Sequence, residues 1–491
     1  MESWHAPGLR LEMPSATVRA HLVLAGLDLA DLGLECFEPE CRERDSRVPS
    51  PDSRRQVVNR IPNYLAAFLI LLSLAPCPAQ SSGAVAATKI PTKVKEHIQP
   101  QELYGPVVAA NNHFAVRFFK VAYEDSPQQN VLTAPASLSY AVALLLNGST
   151  GPGREQIADT FDLKEIPLDQ INQGNAALRA IRKAHPVKKH SDRPAMFTPV
   201  LGADGRTFQP YTIAGALWTK KGAFAQSFLS LNTSSYGYTM ISRHPTPTLI
   251  NQWASLKTHG KLNNIIQDIG KDDFVLASVV DFKSRWVQPF SPSETHSGDF
   301  TLLSGAKKQV RMMPKHDPEF QYFKGTNFQA VKLNFYDAAM VVVLPDEDST
   351  LQALVDGLTP DTWQTWVGQF HKQEGFLELP RFEINQQRDS MPVLEKMGMT
   401  LPFSDLGTFI PLVGPEGAKL IRVQEAASMK VDETGAEILS YGVIGGVIGG
   451  VCGNCPPPPP PFHMIVNRPF FFWIVDTRTN QILYMGAAVE P

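Results

Sequence analysis

The chain has 491 residues, 43% of them hydrophobic and 19% charged, and carries a net charge of −3. That balance fits a well-cored globular protein rather than a disordered one, and gives no global attraction to nucleic acid or anionic membrane. Five cysteines, Cys36, Cys41, Cys77, Cys452 and Cys455, leave the long middle of the chain without a disulfide framework, so that body must rest on its own hydrophobic core.

The first pronounced apolar run is Tyr64–Ala79, with Arg54, Arg55 and Arg60 before it and the small residues Cys77 and Ala79 at its end. Its hydrophobic heart is too short to span a bilayer as a helix, and the three-part pattern is that of a secretory signal. Residues 1–80 therefore read as a leader with a late signal at about 61–79, residues 1–60 being either an unusually long leader or an over-extended gene model, and the mature, extracellular chain starts near Gln80. A Pro- and Lys-containing linker follows over 81–101, and residues 102–491 read as one large domain.

Phe114, Val116, Phe118, Val121 and Ala122 have helical spacing. The next segment, "TAPASLSYAVALLLNGSTGPG", is apolar nearly all round, which predicts a central helix ending at Gly148 and Gly151. Between Arg179 and Pro210 the pattern lapses into a polar loop. Strand-like runs then dominate: "YTIAGALW", "DFVLASVVDF", "QAVKLNFYDAAMVVVLP", "GFLELPRFEI", "FFFWIVDT" and "ILYMGAAV". Helices come mostly first and antiparallel-looking strands mostly later, which predicts an α+β fold.

Enzyme chemistry finds little footing. No GxSxG elbow, P-loop, HExxH or strand-borne GxGxxG occurs, and the twelve histidines form no metal pair with a nearby carboxylate. No catalytic residue, metal or cofactor is expected. Cys452 and Cys455 form a CxxC followed at once by six prolines, Pro456–Pro461. A redox pair needs its first thiol at a helix N-terminus, so a local loop disulfide is the simpler reading. The prolines make a stiff spacer about 19 Å long.

Five motifs carry a resemblance. "FHMIVNRPFFFWIVDTRTNQILYMGAAVEP" resembles the terminal strands of serpins, and "INQWASLKTHGKLNNII" their IN-x-W-x(4)-T-x-G-K helix. Trp286, Phe290, Thr295 and Phe300 stand at the family spacing, "NVLTAPASLSYAVALLLNG" resembles the shutter helix, and "LELPRFEI" the later LPKF strand. The resemblance implies the serpin fold: mixed sheets with surrounding helices, metastable, with an exposed reactive loop at about 433–466. It implies suicide-substrate inhibition, in which a cleaved loop enters the main sheet and traps a serine endopeptidase.

On that resemblance Glu433, Gly435, Ala436, Glu437 and Ile438 form the hinge, and counting from it sets the nominal scissile bond at Gly449–Gly450. Lys and Arg are absent between Lys430 and Arg468, which points to an extracellular protease of non-basic specificity. The hinge departs from the family's alanine run. By the family's register and the period of two, Ala436, Ile438, Ser440 and Gly442 would face the core on insertion, where Ile438 is overpacked. That leaves a second expectation, a non-inhibitory carrier or interaction scaffold. The shutter departs as well, with Ala134, Ser278 and Glu425 at positions where serpins usually have serine, asparagine and histidine, and the sequence names no partner for a carboxylate at Glu425. Arg182, Lys183, Lys188, Lys189 and Arg193 lie where some serpins bind sulfated polysaccharides. Asn232 and Asn147 begin glycosylation sequons, Asn232 being preferred because Asn147 ends a buried helix. A monomer without nucleic-acid partners is expected.

Overall fold

In a computed structural model the described residues are 2–6, 9–13, 100–183, 211–219, 224–241, 246–269, 274–282, 284–336, 338–415, 417–420, 422–436 and 459–491. Near the N-terminus, β1 (Glu2–Ala6) and β2 (Leu9–Met13) pair antiparallel in a unit of their own. The second compact unit runs over Lys93–Pro491.

That unit opens with α1 (Pro100–Glu124), so the helix begins inside the segment that reads as linker. Strand β3 (Val131–Thr133) leads into α2 (Pro135–Leu146). Pro135 stands at the first helical position, where its missing N–H costs nothing, and every residue of α2 is buried, as an all-round apolar pattern demands. Helices α3 (Gly151–Thr160) and α4 (Leu168–Lys183) follow.

The remainder is strand-rich. In chain order come β4 (Tyr211–Thr219), β5 (Thr239–Ile241), β6 (Phe274–Phe282), β7 (Ser284–Arg285), β8 (His296–Thr301), β9 (Lys307–Lys324), β10 (Phe328–Asn334) and β11 (Ala338–Pro345). After them come β12 (His371–Pro380), β13 (Phe382–Asp389), β14 (Val423–Val431), β15 (Gly435–Ala436), β16 (Phe462–Ile465), β17 (Phe470–Asp476) and β18 (Ile482–Ala488). Among the described residues these form a five-stranded sheet, β13-β14-β6-β4-β5, and a larger one, β16-β12-β9-β10-β11-β17-β18-β3, with β8 beside β9.

Between the two sheets lies a core that includes Phe282, Met340, Phe382, Ala427, Met429, Phe470 and Phe472. A second core joins α1 and α2 to the sheets through Phe114, Leu145, Leu276 and Trp473. On the outer face, the helix Pro247–Lys257 lays Trp253 edge-on to Trp218 of β4 at 5.5 Å. The five-stranded sheet is thus covered on both faces along β4 and β6, and its strands read as continuous apolar runs for that reason.

Two of the strand-like runs each hold two strands. "QAVKLNFYDAAMVVVLP" is the β10–β11 hairpin. "GFLELPRFEI" crosses from one sheet to the other at Arg381, between β12 and β13.

Candidate functional site: the hinge and the shutter

At the end of β14 the chain turns through Asp432–Gly435. The Asp432 carboxylate accepts the Thr434 N–H at 2.9 Å and its hydroxyl at 2.7 Å, which tightens the turn. Gly435 has φ +141°, and a Cβ there would lie 2.4 Å from the Ser284 carbonyl oxygen, so glycine alone lets the two backbones meet. They meet as an antiparallel pair, Gly435 opposite Arg285 and Ala436 opposite Ser284.

Aromatic packing fixes the far side of this turn. Trp286 stacks on Phe335 at 3.9 Å and meets Phe290 edge-on. Its indole N–H donates to the Asp432 carbonyl at 2.9 Å, its backbone N–H to Thr434, and the Phe290 N–H to Glu433.

Glu433 itself is buried. One carboxylate oxygen accepts hydrogen bonds from Arg381 Nε at 2.9 Å, Arg381 Nη2 at 2.6 Å and the Thr295 hydroxyl. Burial works against its charge, but the bonds from Arg381 and Thr295 outweigh that and hold the carboxyl below its ordinary range. Thr295 belongs to a spacing motif read in the sequence, whereas the role of Arg381 was not legible there.

Below this turn, β14 meets β6 in a parallel seam over four rungs, from Val423 opposite Leu276 to Ala426 opposite Val279. Among the described residues, Ala427–Val431 have no rung on that side. β14 therefore offers an open edge between the short seam and the β15–β7 pair, in line with both.

The seam's third rung joins Glu425 to Ser278. Glu425 is 2% exposed, and its carboxylate accepts the Ala134 N–H at 2.6 Å and the Ser390 hydroxyl at 3.3 Å. Those two donors are the partners that sequence reasoning could not find. Ala134 leads on to Ser137, whose hydroxyl donates to the Ala134 carbonyl at 3.0 Å and accepts from Ser278 at 3.3 Å. A polar chain thus runs from β14 through the N-terminus of α2 to β6. Desolvation raises the Glu425 carboxyl above its ordinary range, although Arg388, the Ala134 N–H and Ser390 pull the other way.

Of the expected hinge residues, Glu433, Gly435 and Ala436 come together here. Glu437, Ile438, Gly449, Gly450, Cys452 and Cys455 lie outside the described residues, as do Lys188, Lys189 and Arg193. Arg182 is half-buried with its guanidinium over the Tyr140 ring at 4.4 Å, while Lys183 ends α4 exposed. Both sequon asparagines are engaged. The buried Asn232 amide donates to the Tyr238 carbonyl at 2.7 Å and accepts the Tyr238 N–H at 2.9 Å. Asn147, half-buried, exchanges amide bonds with Asn172 at 2.9 Å. Of the two side chains, Asn232 is the more buried, while the Asn147 amide also donates to the Ala143 carbonyl at 3.0 Å.

Known proteins share this fold. A family model described as Serpin (serine protease inhibitor) matches residues 109–491. Antithrombin-III of Bos taurus is 28% identical over 402 residues, covering 78% of this chain and 81% of that protein. Serpin B3 of Homo sapiens is 26% identical, covering 78% and 98%. Among solved structures, human thyroxine-binding globulin complexed with thyroxine superposes with a TM-score of 0.66 at 22% identity, covering 79% of this chain and 99% of that one. Protease nexin-1 with heparin gives 0.63 at 21%, covering 80% and 100%. From residue 109 to its last residue, the chain belongs to the serpin family.

Proposed function

We propose that this serpin is a secreted inhibitor that traps an extracellular serine endopeptidase of non-basic specificity by inserting its cleaved loop. One observation carries the reading: the antiparallel pair of Gly435–Ala436 with Ser284–Arg285, which lies at the top of the open edge of β14. An inserted loop strand must run antiparallel to both β14 and β6, and this pair is the beginning of such a strand. The hinge is therefore set to zip downward once cleavage frees the loop. The apolar loop sequence around Val447 and Ile448 suits an elastase-like cleft. Secretion rests on the Tyr64–Ala79 run, which lies outside the described residues.

The same register favours a second reading. Continued from Ala436 opposite Ser284, it would set Ile438 opposite Phe282, a buried core residue of β6. Continued from the bridge between Asp432 and Gly435, it would set Ile438 opposite Met429 of β14. An isoleucine between two large side chains overpacks the inserted strand by about 1–3 kcal/mol. Insertion competes with hydrolysis of the acyl-enzyme, and about 1.4 kcal/mol on its barrier is tenfold in rate. A non-inhibitory carrier or scaffold is the outcome if that race is lost.

The deciding experiment incubates the protein with a panel of serine endopeptidases and looks for an SDS-stable complex on a gel. A complex with an elastase-like member, and none with trypsin-like ones, is expected. Clean cleavage with full release of active protease across the panel would leave the carrier reading.

A further inference from the structure

Glu425 is an acid placed where the main sheet must part. Any strand entering beside β14 has to separate the four rungs that join β14 to β6, and Glu425 occupies the third of them, opposite Ser278. Its carboxyl is sealed from water at 2% exposure and meets two donors, the Ala134 N–H and the Ser390 hydroxyl. A carboxylate has about four acceptor sites, so half of its capacity is unmet while the seam is closed. Parting the seam admits water to that side and supplies the missing donors.

We propose that Glu425 is a proton-controlled latch on the β14–β6 seam, holding the sheet closed when protonated and favouring its parting when charged. The assignment rests on the loop-insertion reading only in what passes through the opened seam.

The surroundings fix the sign. Arg388 stands directly across from Glu425 on β13, with a buried Nη1 that meets no acceptor. Asp389, next along β13, spends one carboxylate oxygen on the Met391 and Val423 N–H groups. From β18, the Tyr484 hydroxyl donates to the Val280 carbonyl at 2.8 Å, and burial, then Asp281 of β6 and Glu425, disfavour ionisation of its phenol. Of these charged groups, only Arg388 favours the Glu425 carboxylate, and it moves with β14 because the two strands are neighbours. The closed seam therefore raises the carboxyl, chiefly by burial, and takes up a proton more readily than a parted seam would. A parted, wet seam returns it toward the ordinary carboxylate range. Charge thus favours the parted state, and raising the pH through the closed-state pKa loosens the seam. Each unit by which the closed-state value exceeds the parted one is worth about tenfold in the parting equilibrium.

The test follows annealing of a synthetic peptide of residues 435–446 carrying Ile438→Ala, which removes the overpacking that would stall it, to the full-length protein; it needs no protease and so separates this inference from the inhibitor reading. Annealing, read by native gel and by the rise in melting temperature, should accelerate severalfold as pH rises through the Glu425 titration. Glu425→Gln keeps the side chain's shape and should flatten that profile. Arg388→Gln should move the midpoint to higher pH in the Glu425 protein and do nothing in the Glu425→Gln background, a response that a purely structural role would not give. An unchanged pH profile in Glu425→Gln, or failure of the peptide to anneal at any pH, overturns the proposal. A normal profile in a protein that forms no SDS-stable complex would sink the inhibitor reading and leave the latch standing.

Discussion

Arg381 holds Glu433 by two hydrogen bonds to a single oxygen, from Nε at 2.9 Å and from Nη2 at 2.6 Å. Arg381 sits where the chain leaves one sheet for the other, and Glu433 sits where β14 turns into the hinge. The pair therefore ties the hinge to the rim of the larger sheet. Removing Arg381 leaves a buried carboxylate with the Thr295 hydroxyl as its remaining side-chain donor, a loss of about 2 kcal/mol. Arg381→Ala should lower the melting temperature by several degrees and make residues near 433–436 more sensitive to proteolysis. Unchanged stability would mean that the pair holds nothing.

The same carboxyl gives a pH dependence of definite sign. The folded-state pKa of Glu433 is depressed, so its contribution is present above the unfolded value and disappears as pH falls through the folded one. Acid should therefore loosen the hinge below the ordinary carboxylate range. At Glu425 the shift has the opposite sign, so acidification tightens the seam at pH values where the hinge is still intact. Stability against pH for Glu433→Gln, subtracted from that of the parent chain, should show the loss at the acid end only.

Gly435 offers a purely steric check. Alanine there would place its Cβ 2.4 Å from a backbone carbonyl at a φ that L residues rarely adopt. Gly435→Ala should destroy the pair of Gly435–Ala436 with Ser284–Arg285 and slow loop insertion after cleavage. Insertion as fast as in the parent would show that this pair is no starting point.

The Asn232 sequon gives a further prediction. Asn232 has both ends of its amide bound to Tyr238, so the folded protein should carry no glycan there, and mass analysis with and without glycosidase should show it unmodified. Asn232→Ala should instead cost about 1–3 kcal/mol, the penalty for leaving buried partners unsatisfied. A glycan found on Asn232 of folded, secreted protein would contradict the hydrogen-bonded geometry.

What the sequence made legible was what local pattern can carry. The nearly all-round apolar α2 and the continuous apolar runs of the terminal strands were readable from local pattern. The shutter was opaque because a backbone N–H has no residue signature: Ala134 reaches Glu425 across 291 positions, and Ser390 reaches it from a neighbouring turn. The crossing at Arg381 was hidden too, since Leu377, Leu379, Phe382 and Ile384 are all buried in one shared core although β12 and β13 belong to different sheets. An apolar run shows that a segment is buried, and it does not show which sheet buries it.

The last prediction concerns Ile438. If the register of Ala436 opposite Ser284 continues, Ile438 must fit between Phe282 and Met429, both buried beneath the five-stranded sheet. Cleavage of the loop in the parent chain should then raise the melting temperature only modestly, because the entering strand stalls two residues past the described pair. Ile438→Ala removes the excess volume without changing the charge or the seam, and should lengthen the inserted strand. The expected result is a larger thermal rise on cleavage, by several degrees or more, together with more trapped and less released protease. Ile438→Leu keeps the volume and should behave like the parent. A full thermal rise and efficient trapping in the parent chain would show that the core between Phe282 and Met429 yields to isoleucine. The departure from alanine would then have no bearing on inhibition.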